Sequence, residues 1–249
     1  MYVVGYPKSG NTWLCFLLAY CLNAEYDDLD APGIHPQQEY QRRYVKGGLE
    51  HPSYQGQLGR VLKTHDLELP ANSQHQPVVY LLRDGRDVMV SYFFYRRKLA
   101  AEGSGIKKQL TKFRNLLTTK SVEPSCHDFS AFLQKYTDEW VTHLSTWLER
   151  SPQVVIRYED LKTEPVKTLQ TAFGQLNVEI APAIIEQGLD IFDFQKLSQR
   201  REGEEDRSSF FRKGIAGDWK NHFADTDLEY FTRRAEDVMN QAGYSSQED

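Results

Sequence analysis

A glycine-rich loop between two apolar runs constrains this chain more than any other feature. The loop extends from Gly5 to Trp13 and reads GYPKSGNTW. A short apolar run, residues 2–4, precedes it, and a longer one, residues 14–18, follows it. This order predicts a strand, a loop and a helix, in which the loop amides and the helix N-terminus face a bound anion. The sequence therefore predicts an α/β fold with an anion site at its first loop.

The loop departs from the nucleotide-hydrolysing P-loop at one position. That motif has the form G-x-x-x-x-G-K-[ST], in which a lysine directly precedes the hydroxyl residue. Gly5, Gly10 and Thr12 keep the spacing, but Asn11 replaces the lysine, and the lysine of this loop is Lys8. We therefore expect an anionic ligand other than the β and γ phosphates of ATP.

Further apolar runs predict the rest of the sheet. Residues 60–64, 77–82 and 154–156 are short and rich in β-branched side chains, which is typical of buried parallel strands. Apolar side chains predict helices at about residues 12–22, where nearly every face is apolar, and 129–149, where they recur with a helical period. The aromatic residues of the second helix are expected in the core.

No repeat and no linker divides the chain of 249 residues. We therefore predict one domain, residues 1–249, with a central parallel β-sheet flanked by helices in the three-layer architecture of P-loop NTPases. Two polar segments, at about residues 96–125 and 198–209, are predicted to be mobile loops, and loops beside a nucleotide site often act as lids.

Composition disfavours several classes of protein. The net charge of −5 argues against a general nucleic-acid binder, which carries a basic surplus. No apolar run approaches the roughly 18 residues of a membrane span, and the first strand begins almost at the first residue, which leaves no room for a signal peptide. Three cysteines are too few for a disulfide framework, and Cys15 and Cys21 are expected in the core. The sequence predicts a soluble, cytoplasmic protein without a membrane or nucleic-acid partner.

An arginine follows the strand predicted at residues 77–82. Arg83 stands where a P-loop enzyme would place an acidic metal ligand, and Ser91 lies two turns along the helix predicted after it. A site with arginine in this place favours negative charge from the ligand itself and no magnesium. The plainer alternative is that Arg83 pairs with Asp84 or Asp87.

A second basic segment, RKGIAGDWK, begins at Arg212. Arg212 and Lys213 precede Gly214, so a planar fork, a point charge and open backbone amides stand together, as a phosphate site requires. Gly217 and Trp219 are expected to shape and close the segment. We predict that it binds a second phosphate.

Four motifs in this order resemble the signature set of the cytosolic-type sulfotransferases: YPKSGNTW, RVLKTH, RDGRDVMVSY and RKGIAGDWK. The likeness extends from the first residues to about residue 223. Those enzymes transfer a sulfuryl group from 3′-phosphoadenosine 5′-phosphosulfate (PAPS) to an acceptor and release 3′-phosphoadenosine 5′-phosphate (PAP). The resemblance implies PAPS as donor, PAP as product and no metal.

The resemblance also implies a role for each matching residue. Five loop residues would hold the 5′-phosphosulfate: Lys8, Ser9, Gly10, Asn11 and Thr12. Five other residues would hold the 3′-phosphate: Arg83, Ser91, Arg212, Lys213 and Gly214. Three aromatic residues would contact the adenine: Trp13, Tyr158 and Phe194.

The catalytic base of the family matches His65, in the sequence KTH, with Lys63 beside it. Attack of a hydroxyl on sulfur develops negative charge on the bridging oxygen, which Lys8 and Lys63 would stabilise. A histidine with a pKa close to neutral can accept the proton of the attacking hydroxyl. We expect a single in-line displacement without a covalent enzyme intermediate.

The acceptor is less constrained than the donor. Its pocket is expected from residues 27–54 and 92–117 and from the polar loop before residue 211. Aromatic side chains in these segments suit a hydroxylated small molecule such as a secondary metabolite, and basic residues such as Arg96 could steer an anionic acceptor. Acidic residues such as Asp66 could instead pair with a cationic acceptor such as an amine. The stretch 196–205 lacks the Thr-Val of the family's common dimer contact, so the oligomeric state stays open.

Two alternatives remain at this point. A small-molecule kinase that uses Mg·ATP would share the loop architecture, but Asn11 and Arg83 disfavour it. A non-catalytic PAP-binding protein would not need Lys8, Lys63 and His65, which this chain retains.

Overall fold

The computed structural model describes residues 1–30, 59–73, 75–101, 128–206, 209 and 212–244. The chain divides into two compact units. The first unit comprises Met1–Leu82 and Ser151–Leu197, and the second comprises Arg83–Arg150 and Ser198–Asp249. The assignment of all 249 residues to one domain stays a prediction.

The helices within the described ranges are, in chain order, α1 (Asn11–Cys21), α2 (Gly85–Ala101), α3 (Phe129–Glu149), α4 (Tyr158–Thr163), α5 (Pro165–Gln175), α6 (Pro182–Ile191), α7 (Phe194–Ser198) and α8 (Asp225–Gln241). Short 3₁₀ turns occur at Ala71–Ser73 and Asp218–Asn221. None of the described helices is long and apolar enough to cross a membrane.

A parallel sheet forms the centre of the first unit. Its five described strands are β1 (Tyr2–Val4), β2 (Glu25–Asp28), β3 (Arg60–Thr64), β4 (Val78–Leu82) and β5 (Val154–Arg157), in the order β2-β3-β1-β4-β5. Val3 pairs with Lys63 on one side and with Val79 on the other. Every pairing is parallel, which confirms the predicted type of sheet.

Helix α1 is the buried centre of the first unit. All of its residues except Trp13 are buried, because the helix packs on β1, β2 and β3 and against α6. Cys15 and Cys21 are free and buried, so the prediction that they belong to the core is confirmed; Cys126 lies outside the described residues. The apolar surface of α1 explains why the sheet and this helix form one core.

In the second unit, α3 packs against α2 and α8. Asp128 caps α3, since its side chain accepts hydrogen bonds from the backbone of Ser130 and Ala131. The predicted aromatic stripe of α3 is indeed core, and its buried members are Phe132, Tyr136, Trp140 and Trp147. Most of the predicted loop 96–125 lies outside the described residues, and its first part forms the end of α2.

Gly5 lies at the start of the loop after β1, in contact with the sheet. A Cβ atom added there would lie 2.5 Å from the carbonyl oxygen of Leu81 and would also meet the side chain of Asn11. We predict that Gly5→Ala lowers the free energy of unfolding by about 1–3 kcal/mol, the usual cost of overpacking. Urea titration followed by circular dichroism measures this change.

Gly174 provides the matched control in the same unit. It lies inside α5, and a Cβ atom there would meet nothing within 4 Å. Because alanine favours a helix over glycine, Gly174→Ala should raise the free energy of unfolding by up to about 1 kcal/mol. If both variants changed stability equally, the close approach at Gly5 would be refuted.

Candidate active site

The loop between β1 and α1 has the backbone of an anion site. Lys8 and Gly10 have positive φ values of 72° and 103°, and a positive φ is uncommon for lysine. A Cβ atom on Gly10 would lie 2.8 Å from the ring of Tyr158, so only glycine fits there. In the described part of the chain, no side chain caps α1, and its first turn holds no acidic residue. The first amides of α1 are therefore available to an anion.

Asn11, which replaces the P-loop lysine, ties the loop together. Its Nδ2 donates to the carbonyl oxygens of Gly5 at 3.2 Å and Tyr6 at 3.1 Å, and it also lies 3.4 Å from Nδ1 of His65. The side chain is buried. Asn11 therefore fixes the loop with its side chain, and its backbone N–H is the group that it can offer to a ligand.

His65 follows β3 and contacts the same loop. Its Nδ1 lies 2.5 Å from the carbonyl oxygen of Gly5. A carbonyl oxygen only accepts hydrogen bonds, so Nδ1 carries the hydrogen and Nε2 holds the lone pair. The loop thus fixes the tautomer that presents Nε2 as the basic nitrogen.

Two aspartates bind the ammonium group of Lys63. Both carboxylate oxygens of Asp28 lie 3.0 Å from Nζ, and Oδ2 of Asp30 lies 3.3 Å from it. Asp30 also accepts a hydrogen bond from the hydroxyl of Thr64 and lies 3.9 Å from Nε2 of His65. The lysine predicted to act on the sulfuryl group is therefore paired with two carboxylates.

The charges of this cluster shift both titrating groups. Burial is the largest influence on Lys63 and lowers its pKa, but Asp28 and Asp30 outweigh it and raise that pKa above its ordinary value. Burial and the charge of Lys63 lower the pKa of His65 to about 3, against the opposing effects of the Gly5 carbonyl and Asp28. His65 is therefore neutral at physiological pH, with a pKa below the near-neutral value expected from the sequence for a general base.

In the second unit, Asp87 organises the residues predicted to bind the 3′-phosphate. Its carboxylate accepts from the backbone N–H groups of Gly217 at 2.6 Å and Trp219 at 2.9 Å. It also lies 3.6 Å from Arg83, whose Nη2 donates to the carbonyl oxygen of Ile215 at 2.9 Å. Arg83 thus lies beside the basic segment, and its contact with Asp87 agrees with the plainer alternative drawn from the sequence.

The other candidate partner, Asp84, binds Arg86 at 2.8–3.2 Å. The guanidinium group of Arg86 in turn lies 4.0 Å from the ring centre of Trp219. Ser91 is buried on α2, in the second unit as well.

Asp218 joins the two cations of the basic segment. It accepts from Nη2 of Arg212 at 2.6 Å and from Nζ of Lys213 at 2.5 Å. Although burial raises the pKa of Asp218, the hydrogen bonds from Lys213 and Arg212 lower it well below its ordinary value. Gly214, the residue after Lys213, has a φ of 74°, a conformation that favours glycine.

Two of the three predicted adenine contacts lie close together in the first unit. The rings of Trp13 and Tyr158 meet edge to face, with centroids 6.2 Å apart, and Lys162 lies 5.4 Å from the centre of the Trp13 ring. Ser9 is buried in the preceding loop. Phe194 begins α7, and its contact with adenine stays a prediction.

Sequence reasoning missed the carboxylates that accompany the cations. Asp28 belongs to β2, which was not predicted because EYDD has a single apolar residue. Asp218 stands inside the basic segment, and an acidic residue next to a predicted phosphate site was a signal that could have been used. Residues 31–58 and 102–127, which hold most of the predicted acceptor pocket, lie outside the described residues. Among the residues that the structure describes, no group of three or more His, Cys, Asp or Glu side chains could hold a metal ion.

The fold and the loop define an α/β protein of the phosphate-binding-loop class. A family model described as the sulfotransferase domain matches residues 1–243. The chain therefore belongs to the sulfotransferase domain family, and it is an enzyme of the sulfotransferase type. The resemblance inferred from the four motifs is confirmed.

Curated relatives match along most of their length. Flavonol 3-sulfotransferase of Flaveria bidentis is 26% identical over 271 residues, with 98% of this chain and 82% of the relative covered. Sulfotransferase 1E1 of Bos taurus is 25% identical over 267 residues, with 95% of this chain and 82% of the relative covered.

Solved structures share the fold. Mouse sulfotransferase SULT7A1 complexed with PAP has a TM-score of 0.64 at 22% identity, and the match covers 98% of this chain and 84% of that one. Retinol dehydratase in complex with androsterone and inactive cofactor PAP has a TM-score of 0.60 at 20% identity, with 100% and 82% covered. These likenesses confirm the predicted fold class.

The pairing of Lys63 with two aspartates yields a prediction for stability. In the double variant Asp28→Asn/Asp30→Asn, the buried ammonium group of Lys63 has lost both counter-charges. We expect the free energy of unfolding to fall by about 3–5 kcal/mol near neutral pH. The pKa of Lys63 in the folded variant should then lie below its unfolded value of about 10.4. The unfolded state binds more protons than the folded variant in that range, so the stability of the variant should rise with pH.

In the wild type, the pKa of Lys63 is raised, so its contribution to stability is lost only at pH values above its unfolded pKa. The difference in the free energy of unfolding between wild type and double variant should therefore become smaller from about pH 7 to about pH 9.5. Urea unfolding at each pH measures it. Glu164→Gln, which breaks an exposed ion pair with Lys167, is the control and should cost less than about 1 kcal/mol. A difference that did not change with pH would contradict the buried ion pair.

Proposed function

We propose that this enzyme transfers the sulfuryl group of PAPS to a hydroxyl group of a small-molecule acceptor, with His65 as general base. The observation that carries the proposal is the position of His65 against the loop after β1. The hydrogen bond from Nδ1 to Gly5 orients the ring and leaves the lone pair on Nε2, beside Lys63 and within reach of the charge of Lys8.

The anion-binding features of the first unit fit a 5′-phosphosulfate. The uncapped start of α1 offers backbone amides to negative charge, and Lys8 adds a full positive charge. When bound, PAPS would supply the sulfuryl group that is transferred. Asn11 cannot supply the charge of a Walker lysine, which agrees with a ligand other than Mg·ATP. Trp13 and Tyr158 offer aromatic surface for the adenine.

The charges around His65 affect its role as the base. When Nε2 accepts the proton of the attacking hydroxyl, His65 becomes an imidazolium. Asp30, 3.9 Å from Nε2, is too distant to accept a hydrogen bond from the ring in this geometry but close enough to stabilise the new positive charge. The new bond joins the acceptor oxygen to sulfur, and the bond from sulfur to the phosphate oxygen breaks. Lys8 and the loop amides stabilise the charge that develops on that departing oxygen.

The basic segment of the second unit fits the 3′-phosphate. Arg212 and Lys213 supply two positive charges, and Gly214 leaves the backbone open. Arg83, close to Ile215, adds a third cation, and Ser91 a hydroxyl. Structural relatives named as PAP complexes support PAP as the product. Independence from metals is part of the proposal and is tested by adding EDTA.

The acceptor is a small molecule with a hydroxyl group, or alternatively an amine. The curated relatives support this class, since one is named as a flavonol 3-sulfotransferase. A hydroxylated secondary metabolite is our candidate.

The role of His65 yields the third prediction. His65→Ala should lower the rate of sulfuryl transfer by about 10²–10⁴-fold, the usual contribution of a general base, and leave the affinity for PAP unchanged. Transfer from radiolabelled PAPS to a panel of phenols, alcohols and amines measures the rate, and calorimetry measures the affinity. His75→Ala, at an exposed position of the same unit, is the control and should behave as wild type.

Two outcomes would count against the proposal. Transfer by His65→Ala at the wild-type rate would show that another group is the base. Tight PAP binding without transfer to any of these acceptors by the wild type would favour the non-catalytic alternative.

A further inference from the structure

The guanidinium group of Arg212 is bound by two carboxylates. Nη2 donates to Oδ2 of Asp218 at 2.6 Å, and Nη1 donates to Oε1 of Glu205 at 2.6 Å. In the described part of the chain, its buried Nε has no hydrogen-bond partner. A residue proposed to bind phosphate is thus occupied by two anions of the protein itself.

The two carboxylates differ in how deeply they are held. The Asp218 side chain is 1% exposed, and it also accepts from Lys213, from Asn221 at 3.0 Å and from His222 at 3.2 Å. Removal of this carboxylate would leave several donors without their acceptor, which is costly in a buried position.

Glu205 is placed differently. Its side chain is 24% exposed, and it belongs to the polar segment 198–209. Backbone hydrogen bonds connect this segment to the basic segment. The N–H of Gly203 donates to the carbonyl oxygen of Lys213 at 2.9 Å, and the N–H of Asp206 donates to that of Arg212 at 3.0 Å. A partly exposed carboxylate regains water when it leaves its partner, so the release of Glu205 costs less than the release of the buried Asp218.

We propose that Glu205 competes with the 3′-phosphate of the nucleotide for Arg212, whereas Asp218 positions Arg212 and Lys213 for that phosphate. The inference rests on the proposed binding of the 3′-phosphate by the basic segment. When the phosphate binds, Glu205 releases Nη1 and turns to solvent, and Asp218 stays in place. Glu205 therefore lowers the affinity of the enzyme for nucleotides with a 3′-phosphate.

The two carboxylates should give opposite results when each is replaced by its amide. Glu205→Gln should lower the Kd for PAP by about threefold to fivefold, the size of a partly exposed ion pair. Asp218→Asn should raise the Kd for PAP by about tenfold, since both cations lose their anchor. Neither variant should change the Kd for adenosine 5′-phosphate, which lacks the 3′-phosphate. Isothermal titration calorimetry with both nucleotides measures these constants.

Glu204→Gln is the matched control. It removes the same charge one residue away, where the side chain of Glu204 accepts from the backbone of Arg201 at 3.1 Å. It should leave the Kd for PAP nearly unchanged, which separates a local contact from an effect of net charge. Thermal unfolding checks the fold of each variant. If Asp218→Asn does not fold, the comparison of Glu205→Gln with Glu204→Gln still tests whether Glu205 competes with the phosphate.

The outcomes separate this inference from the proposed function. If wild type bound PAP no more tightly than adenosine 5′-phosphate, the 3′-phosphate assignment and this inference would both be overturned. If wild type preferred PAP but Glu205→Gln bound it no more tightly, the competition alone would be refuted. Equal shifts for both nucleotides would also refute it, because the effect would then not arise at the 3′-phosphate.

Discussion

Positive charges taken out of water need negative partners, and each of the two units meets that requirement by itself. In the first unit, the buried ammonium of Lys63 lies between Asp28 and a second aspartate. In the second unit, Arg212 and Lys213 share the carboxylate of Asp218. These pairings fix the positions of the cations within the fold. The arrangement of charge is therefore a property of the folded chain.

This arrangement gives an acidic chain local sites of positive charge. The net charge is −5, yet cations and backbone amides converge at two local points, the loop after β1 and the segment from Arg212. The loop replaces the Walker lysine with Asn11, whose side chain donates to the loop carbonyl oxygens of Gly5 and Tyr6, while the Gly5 carbonyl oxygen orients His65. The chain belongs to the sulfotransferase domain family, and the role of His65 as the base is our proposal.

The sequence predicted those elements whose apolar pattern is unmistakable. The bounds of β3 and α3 agree with the prediction, because a β-branched run and a helical aromatic stripe are strong local signals. Strand β2 was missed, since only Tyr26 is buried in its polar sequence. The partners of Lys63 could not be predicted for the same reason: parallel pairing of β2 with β3 places Asp28 opposite Lys63, and 35 positions separate them along the chain. Local motifs find the cations of a site, but the carboxylates that hold them come from the tertiary fold.

The most direct test of the account is a calorimetric titration of the wild-type protein with PAP in the presence of EDTA, beside a titration with ATP and magnesium. We expect PAP to bind tightly without metal and Mg·ATP to bind far more weakly. PAP carries the 3′-phosphate that the basic segment is proposed to hold, and the loop lacks the Walker lysine. A preference for Mg·ATP, or a loss of PAP binding in EDTA, would contradict the account and favour a kinase.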